Sequence, residues 1–160
     1  MKVLVVTVNY RTPELAVRCL QSLEHEVRQI GDMHVVVTEN DSGDDSVEVI
    51  SSAIEAHGWD WCTLLLQDRN GGYGAGNNAG MGPYLHGEDA PEYVMLVNPD
   101  AYVREGAIGA MLEFMEGRPD VGIAGARVED GNGEQAQSAF RFPSAWSELV
   151  EGFKLGLLTK

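Results

Sequence analysis

The chain of 160 residues sets 25 acidic against 11 basic side chains, a formal charge of −14, with 44% apolar and 22% charged residues. That size and balance fit one soluble globular domain able to bury a substantial core. The negative field, which no basic patch offsets, excludes nucleic acid as a partner. It would also repel a phosphorylated ligand unless a metal or a local arginine stood between them.

Val3 to Val8 is an almost uninterrupted β-branched run and predicts a first buried strand. Asn9, Tyr10 and Arg11 follow as a loop. Thr12 is placed to cap a helix with Pro13 at its first position and Glu14 in its first turn. Leu15, Cys19, Leu20, Leu23 and Val27 recur at helical spacing, so the helix is expected to run to about Arg28 with its apolar stripe on the sheet. Met33 to Thr38 predicts a second strand, ending in the polar loop Glu39-Asn40-Asp41-Ser42-Gly43-Asp44-Asp45-Ser46. A helix with Val47, Ile50, Ala53 and Ile54 on one face comes next.

Cys62 to Gln67 predicts a third strand, followed by a glycine-rich stretch from Asn70 to Gly80. Tyr93 to Val97 predicts a fourth, closed by Asn98-Pro99-Asp100 because proline cannot extend a central ladder. Ile108, Met111, Leu112 and Met115 mark another helix, and Val121 to Ala124 is expected as a short fifth strand. Strands thus begin near residues 3, 33, 62, 93 and 121. That is the rhythm of βα units of about thirty residues, and of a mostly parallel sheet with helices on both faces.

Past Arg127 the pattern changes. Asp130-Gly131-Asn132-Gly133 is a turn whose flanks are able to pair as a hairpin. Phe140 to Ser144 is irregular, and a helix holding Leu149, Val150 and Phe153 is expected from Ser147. Cys19 and Cys62 lie among apolar neighbours without metal-ligand spacing and read as buried thiols of a reducing compartment. With no signal-peptide core and no stretch approaching a membrane span, the expected location is the cytoplasm.

Alternation of strand and helix gathers the loops after each strand on one edge, where open parallel sheets bind ligands. Those loops carry chemistry. Tyr10 can stack on a base, Glu39 can accept from a base imide or ribose hydroxyls, and Asp100 can hold a divalent cation that neutralises a diphosphate. Taken alone, Asn98-Pro99-Asp100 is as well read as a turn that merely ends a strand; four polar loops in register favour a ligand site.

Gly74-Ala75-Gly76-Asn77-Asn78-Ala79 matches the dinucleotide fingerprint G-x-G-x-x-A letter for letter. It follows the third strand rather than the first, and at some distance, so it also reads as a glycine-rich turn leading into a helix. A Rossmann-type NAD-dependent oxidoreductase and a non-catalytic interaction module stand as alternative functions. The P-loop pattern G-x-x-x-x-G-K-S/T is absent, as is the acidic pair of a phosphoacceptor receiver. His25, His34, His57 and His86 are too scattered to be ligands, and Trp59 and Trp61 read as packing anchors.

Val5-Val6-Thr7-Val8-Asn9-Tyr10, Glu39-Asn40-Asp41-Ser42, Asn70-Gly71-Gly72-Tyr73-Gly74-Ala75-Gly76-Asn77-Asn78 and Leu96-Val97-Asn98-Pro99-Asp100, in that order and spacing, resemble the family 2 glycosyltransferases. The bacterial rhamnosyltransferase-like branch is the nearest likeness. Asp130-Gly131, Gln137-Ser138 and Arg141-Phe142-Pro143-Ser144 resemble that branch too, so the likeness runs from about residue 3 to residue 145. It implies an α/β fold of the GT-A (Rossmann-like) kind, an α/β/α sandwich with a mostly parallel central sheet. The implied donor is a nucleoside diphosphate sugar, dTDP- or UDP-linked, with dTDP-rhamnose one candidate. Transfer would be to a glycan or lipid-linked acceptor in cell-wall or polysaccharide biosynthesis.

By the same resemblance Asn9, Tyr10, Glu39, Asp41, Asn70, Gly72, Gly76, Asn77 and Asn98 belong to the donor site, and Asp100 holds Mg²⁺ or Mn²⁺. Glu39 stands where the family usually has aspartate, and Asn98 replaces the first acid of its D-x-D motif. Residues 1–127 are expected to form the nucleotide-sugar-binding core. Residues 128–160 are expected to form a hairpin or irregular segment and to begin an acceptor-side region that is cut short. The family's catalytic base commonly comes from a Glu-Asp pair, and none follows Ala145, so no base is assigned. Peripheral membrane association is an expectation for a full-length protein.

Overall fold

The structure, a computed structural model, describes residues 1–136; the segment Phe140 to Ser144 and the helix expected from Ser147 lie outside the described residues. Four strands, β1 (Val3–Asn9), β2 (Met33–Glu39), β3 (Cys62–Leu66) and β4 (Tyr93–Leu96), form one sheet in the order β3-β2-β1-β4. All three strand pairs are parallel. The connections hold α1 (Pro13–Ile30), α2 (Ser46–His57) and α3 (Gly72–Met81), and α4 (Ala107–Glu116) follows β4. This is the expected α/β sandwich.

β1 is buried along its whole length, which is why its sequence shows no alternation. Its side chains still alternate between two cores. Val3 and Val5, with Val35 and Val37 of β2, face a large cluster made with Cys19, Leu20 and Leu23 of α1, Ile50 of α2 and Ile108 of α4. Leu4, Val6 and Val36 face a smaller cluster on the other side. α3 lies there.

Two glycines bring α3 onto the sheet. A Cβ on Gly76 would stand 2.7 Å from Val8 Cγ1, and one on Gly80 would stand 2.6 Å from Val6 Cγ1. Four residues apart, they share one helix face. The glycine-rich stretch is therefore mostly helix interior: the helix starts at Gly72, and Gly74 and Gly76 lie inside it. The matched glycines lie inside α3 and not in the turn between β3 and α3, so they do not form a phosphate-binding turn.

Three local expectations need correction. Val121 to Ala124 is not a strand. Ile123 is 94% exposed, and the run is flanked and interrupted by Gly122 and Gly125, so nothing compensates the backbone entropy of extending it. On α1 the buried stripe is Ala16, Cys19, Leu20, Leu23 and Val27, with Ser22 and Glu26 buried beside it, while Leu15 falls outside it on the exposed flank. Thr12 occupies the capping position, but its hydroxyl donates to Asn9 Oδ1 at 3.2 Å instead of accepting from the helix.

The chain divides into two compact units, Met1–Pro119 and the remainder from Asp120. In the second, the turn at Asp130–Gly133 closes a single antiparallel bridge between Glu129 and Gln135. Asp130 Oδ1 accepts there from the Asn132 and Glu134 amides, at 2.9 and 3.0 Å. Trp59 is buried, stacked on His57 at 4.6 Å and tilted against Trp61 at 5.4 Å, so the tryptophans do anchor packing.

Candidate functional site

Parallel pairing brings the carboxyl ends of the strands to one edge. Asn9 ends β1 in register with Glu39 of β2, and Glu39 is in register with Leu66 of β3. β4 stops at Leu96 beside Val6, and the Val97 amide still donates to the Val6 carbonyl at 3.0 Å. Asn98, Pro99 and Asp100 thus follow alongside the last residues of β1, at the same edge as Glu39.

The loops after β1 and β2 are tied into one body. Glu39 is buried, and its carboxylate accepts from the Asp41 and Ser42 amides, each at 3.1 Å, and from the Ser42 hydroxyl. Folding back in this way holds Asp41 in a left-handed conformation, at φ +57. Ser42 Oγ in turn accepts from the Arg11 amide at 2.9 Å, and the Arg11 Nε donates to the Ser42 carbonyl at 2.9 Å. Asn9 is wholly buried and uses Oδ1 to accept from the Thr12 amide and hydroxyl. Asp41 and Tyr10 stay exposed, and the Arg11 guanidinium lies 5.1 Å from the Tyr10 ring centroid, within cation–π range.

Asn40 stitches this body to the start of α3. It is buried, donates to Asn70 Oδ1 at 2.9 Å, and takes the Gly71 amide on its own Oδ1 at 3.4 Å. Asn70 Oδ1 also accepts from the Gly72 amide at 2.8 Å. Asn70 and Gly72 therefore sit on the exposed rim of the site. Gly76 is turned to the sheet against Val8. Asn77 is buried, its amide donating to the Tyr73 carbonyl at 3.0 Å and its Oδ1 without a hydrogen-bond partner.

The loop after β4 differs in kind. Asn98 and Asp100 are exposed, and the Ala101 amide closes a turn on the Asn98 carbonyl at 3.0 Å. Burial pushes the Cys19 thiol of α1 up to about 12, and the charge of Asp100 adds to the shift. Cys62 is raised to about 12 by burial as well, so both thiols are inert. α1 also bonds the chain beyond Asp100: Ser22 Oγ accepts from the Val103 amide at 3.0 Å, and Glu26 takes the Gly106 and Ile108 amides at 2.5 and 2.9 Å.

Sequence reasoning did not single out Arg11, Asn40, Ser42, Ser22 or Glu26 as site residues. For Arg11 the signal was available: a cation in a strand-end loop of a strongly acidic chain is unusual. For Glu26 it was an acid at the helical spacing of an apolar stripe. Asn40 and Ser42 carry no such mark, because their partners are distant in sequence.

Among the described residues no three His, Cys, Asp or Glu side chains gather as a metal cage. A lone exposed carboxylate at a strand end fits a different arrangement. Mg²⁺-type ions are commonly held by about one or two carboxylates together with substrate phosphates, keeping waters elsewhere. Asp100 fits that donor set. A shallow, open depression lies at the opposite end of the strands, lined by Asp32, His34, Thr63, Tyr84 and Asp89. His34 Nε2 lies 2.9 Å from Thr63 Oγ1 and 3.3 Å from the Tyr84 hydroxyl there. It shares nothing with the loops described above.

The parallel sheet with helices on both faces and polar loops gathered at its carboxyl edge makes an α/β sandwich, and likeness to known proteins places it with the GT-A kind. The model of glycosyl transferase family 2 matches residues 3–155, and the chain belongs to that family. Among solved structures it is similar to S. aureus TarS 1-349, at 19% identity and TM-score 0.61 over 74% of this chain and 33% of that one. The same protein in complex with UDP-GlcNAc matches at 20% identity, with TM-score 0.61, 74% and 32% coverage. The mannosyltransferase PcManGT from Pyrobaculum calidifontis, in complex with GDP-Man and Mn²⁺, matches at 18% identity and TM-score 0.60, covering 71% and 32%. The chain spans about a third of the length of these neighbours. No curated protein matches it significantly.

Proposed function

We propose that this chain is the donor-binding part of a glycosyltransferase: it takes a nucleoside diphosphate sugar at the carboxyl edge of its sheet, with Mg²⁺ or Mn²⁺ between the diphosphate and Asp100. The observation that carries this reading is the assembly of three strand-end loops into one hydrogen-bonded body beside an exposed carboxylate. Tyr10 and the rim formed by Asp41, Asn70 and Gly72 would face the nucleotide. Glu39 would act from below, holding Asp41 and Ser42 in place, and Asn9 likewise through Thr12. The cation would offset the repulsion between an acidic protein and a diphosphate and would stabilise the leaving group.

The donor we favour is uridine- or thymidine-linked, dTDP-rhamnose among them, and the acceptor a glycan or lipid-linked glycan met at the cytoplasmic side. Direct displacement needs a base on the face opposite the leaving diphosphate, and Asp100, on the leaving-group side, is not that base. Calorimetric titration with UDP- and dTDP-sugars, each with and without Mn²⁺, and with NAD, tests the proposal. Binding of a nucleotide sugar that Mn²⁺ strengthens supports it. Tight NAD binding indifferent to metal would overturn it, and binding of none of them would leave an interaction module.

A further inference from the structure

α1 reaches the chain that carries the metal candidate, and does so with buried polar groups. Ser22 is buried, donates to the Cys19 carbonyl at 2.7 Å and accepts from the Val103 amide. Glu26 is fully buried, and among the described residues no lysine, arginine or histidine is bonded to it. A carboxylate in a core is unfavourable unless its oxygens are satisfied. Here both are, by the Gly106 and Ile108 amides at the start of α4.

That helix cannot cap itself. Its N-cap position is Gly106, at φ +77, with no side chain to offer its first amides. Asparagine, aspartate or serine would normally serve there. Glu26 does so from α1, about eighty residues away in sequence, with the positive end of the helix dipole favouring its charge. One turn earlier on the same face, Ser22 secures Val103. All three bonds land on the segment Val103–Ile108, which begins three residues after Asp100. On the amino side of Asp100, Val97 is tied to Val6 of β1, and the turn closed by Asn98 and Ala101 is local.

We propose that Ser22 and Glu26 are positioning residues: they clamp the β4–α4 loop to α1 and so hold Asp100 where a cation shared with a nucleoside diphosphate can reach it. The inference rests on the donor reading above. A mere packing role would affect stability without distinguishing the metal end of the ligand from the base end. A clamp affects the metal-dependent part of binding selectively.

The test uses the full chain and the variants Glu26→Gln, which keeps shape but meets one amide with a donor, and Ser22→Ala. Val27→Ala, a core truncation on the same helix, serves as a control that destabilises without removing a hydrogen bond to the loop. Affinity for UDP and for dTDP is measured with and without Mn²⁺, alongside amide hydrogen exchange across residues 101–108. The expected result is that Glu26→Gln and Ser22→Ala each reduce the Mn²⁺-dependent gain by about fivefold. Metal-free affinity should stay unchanged, exchange at residues 101–108 should accelerate, and Val27→Ala should leave the gain intact. A gain present in the unmodified chain and unmoved by either clamp variant overturns the clamp alone. A gain reduced as much by Val27→Ala reduces the clamp to general stability and overturns it too. If the unmodified chain shows no Mn²⁺-dependent gain, the donor reading falls and the clamp's role with it.

Discussion

The loops after β1, β2 and β3 and the loop after β4 meet at one edge but are built on opposite plans. The first three hold one another through Glu39, Asn40, Ser42 and Arg11, with the polar side-chain atoms of Glu39, Asn40 and Ser42 engaged inside the assembly and Tyr10, Asp41 and Asn70 left exposed on its rim. The fourth leaves Asn98 and Asp100 open to solvent and is held on either side of them, by Val97 on Val6 of β1 and by α1 at Val103, Gly106 and Ile108. Under the proposed function, the difference would separate two tasks. A preassembled cradle can recognise a rigid base and ribose, whereas a carboxylate that must share a cation with an incoming diphosphate has to keep its oxygens available.

If this division is correct, substitutions in the cradle act on stability, and substitutions at Asp100 act on binding. Glu39→Ala should show the largest effect. It strands the buried amide and hydroxyl of Ser42 and the part-buried amide of Asp41, and the loss of about 3 kcal/mol is to be read from urea unfolding. A cost near zero would mean the loops are not preassembled. Gly80→Val comes next, because its side chain would meet Val6 and Thr38 and lift α3, with Asn70 and Gly72, from the sheet. About 2 kcal/mol is expected, again by denaturant unfolding.

Asp100→Asn should leave the unfolding midpoint where it is, while the Mn²⁺-dependent gain in nucleotide affinity falls by about tenfold in calorimetry. A shifted midpoint would place Asp100 with the cradle and erase the distinction. The smallest effect belongs to His34, at the other end of the strands, where burial holds its pKa below 6.5. The unfolded chain takes up the proton first, so this stability is complete above pH 6.5 and lost as pH falls toward the folded value. The ring is only half buried, so solvent screens part of the effect. The melting temperature of the unmodified chain should drop slightly more between pH 7.5 and 5.5 than that of His34→Gln, on the order of a degree or two. Nucleotide affinity should respond equally in both.

Much of this was legible in the residues. β-branched runs near thirty-residue spacing announced the strands, and Pro99 marked where β4 must stop, because those signals are local. The edge that holds Tyr10, Glu39 and Asp100 followed from alternation alone. What Glu39 does was not legible: a carboxylate that accepts from its own following amides looks, in a sequence, like one waiting for a ligand. Gly76 was equally ambiguous, since a glycine that approaches a phosphate and one that approaches Val8 are the same letter. Glu26 escaped because its partners lie about eighty residues on, and no pattern along one helix can reveal a cap it supplies to another. The strand expected at Val121 to Ala124 failed because apolar content cannot say whether a neighbour is there to pair with.

The placement of β4 also sets an order of events. β2 pairs with β1, and β3 with β2, across a single helical crossover each, while β4 pairs with β1 across about ninety residues. Closing so long a loop is entropically dearer and slower than closing the short ones. During synthesis β1, β2 and β3 can associate before β4 has left the ribosome, leaving the far edge of β1 bare until Tyr93–Leu96 arrives. The cradle is therefore expected to mature first. Asp100 is delivered to it last, on the strand whose late docking covers the edge of β1 and becomes the outer strand of the sheet in its turn.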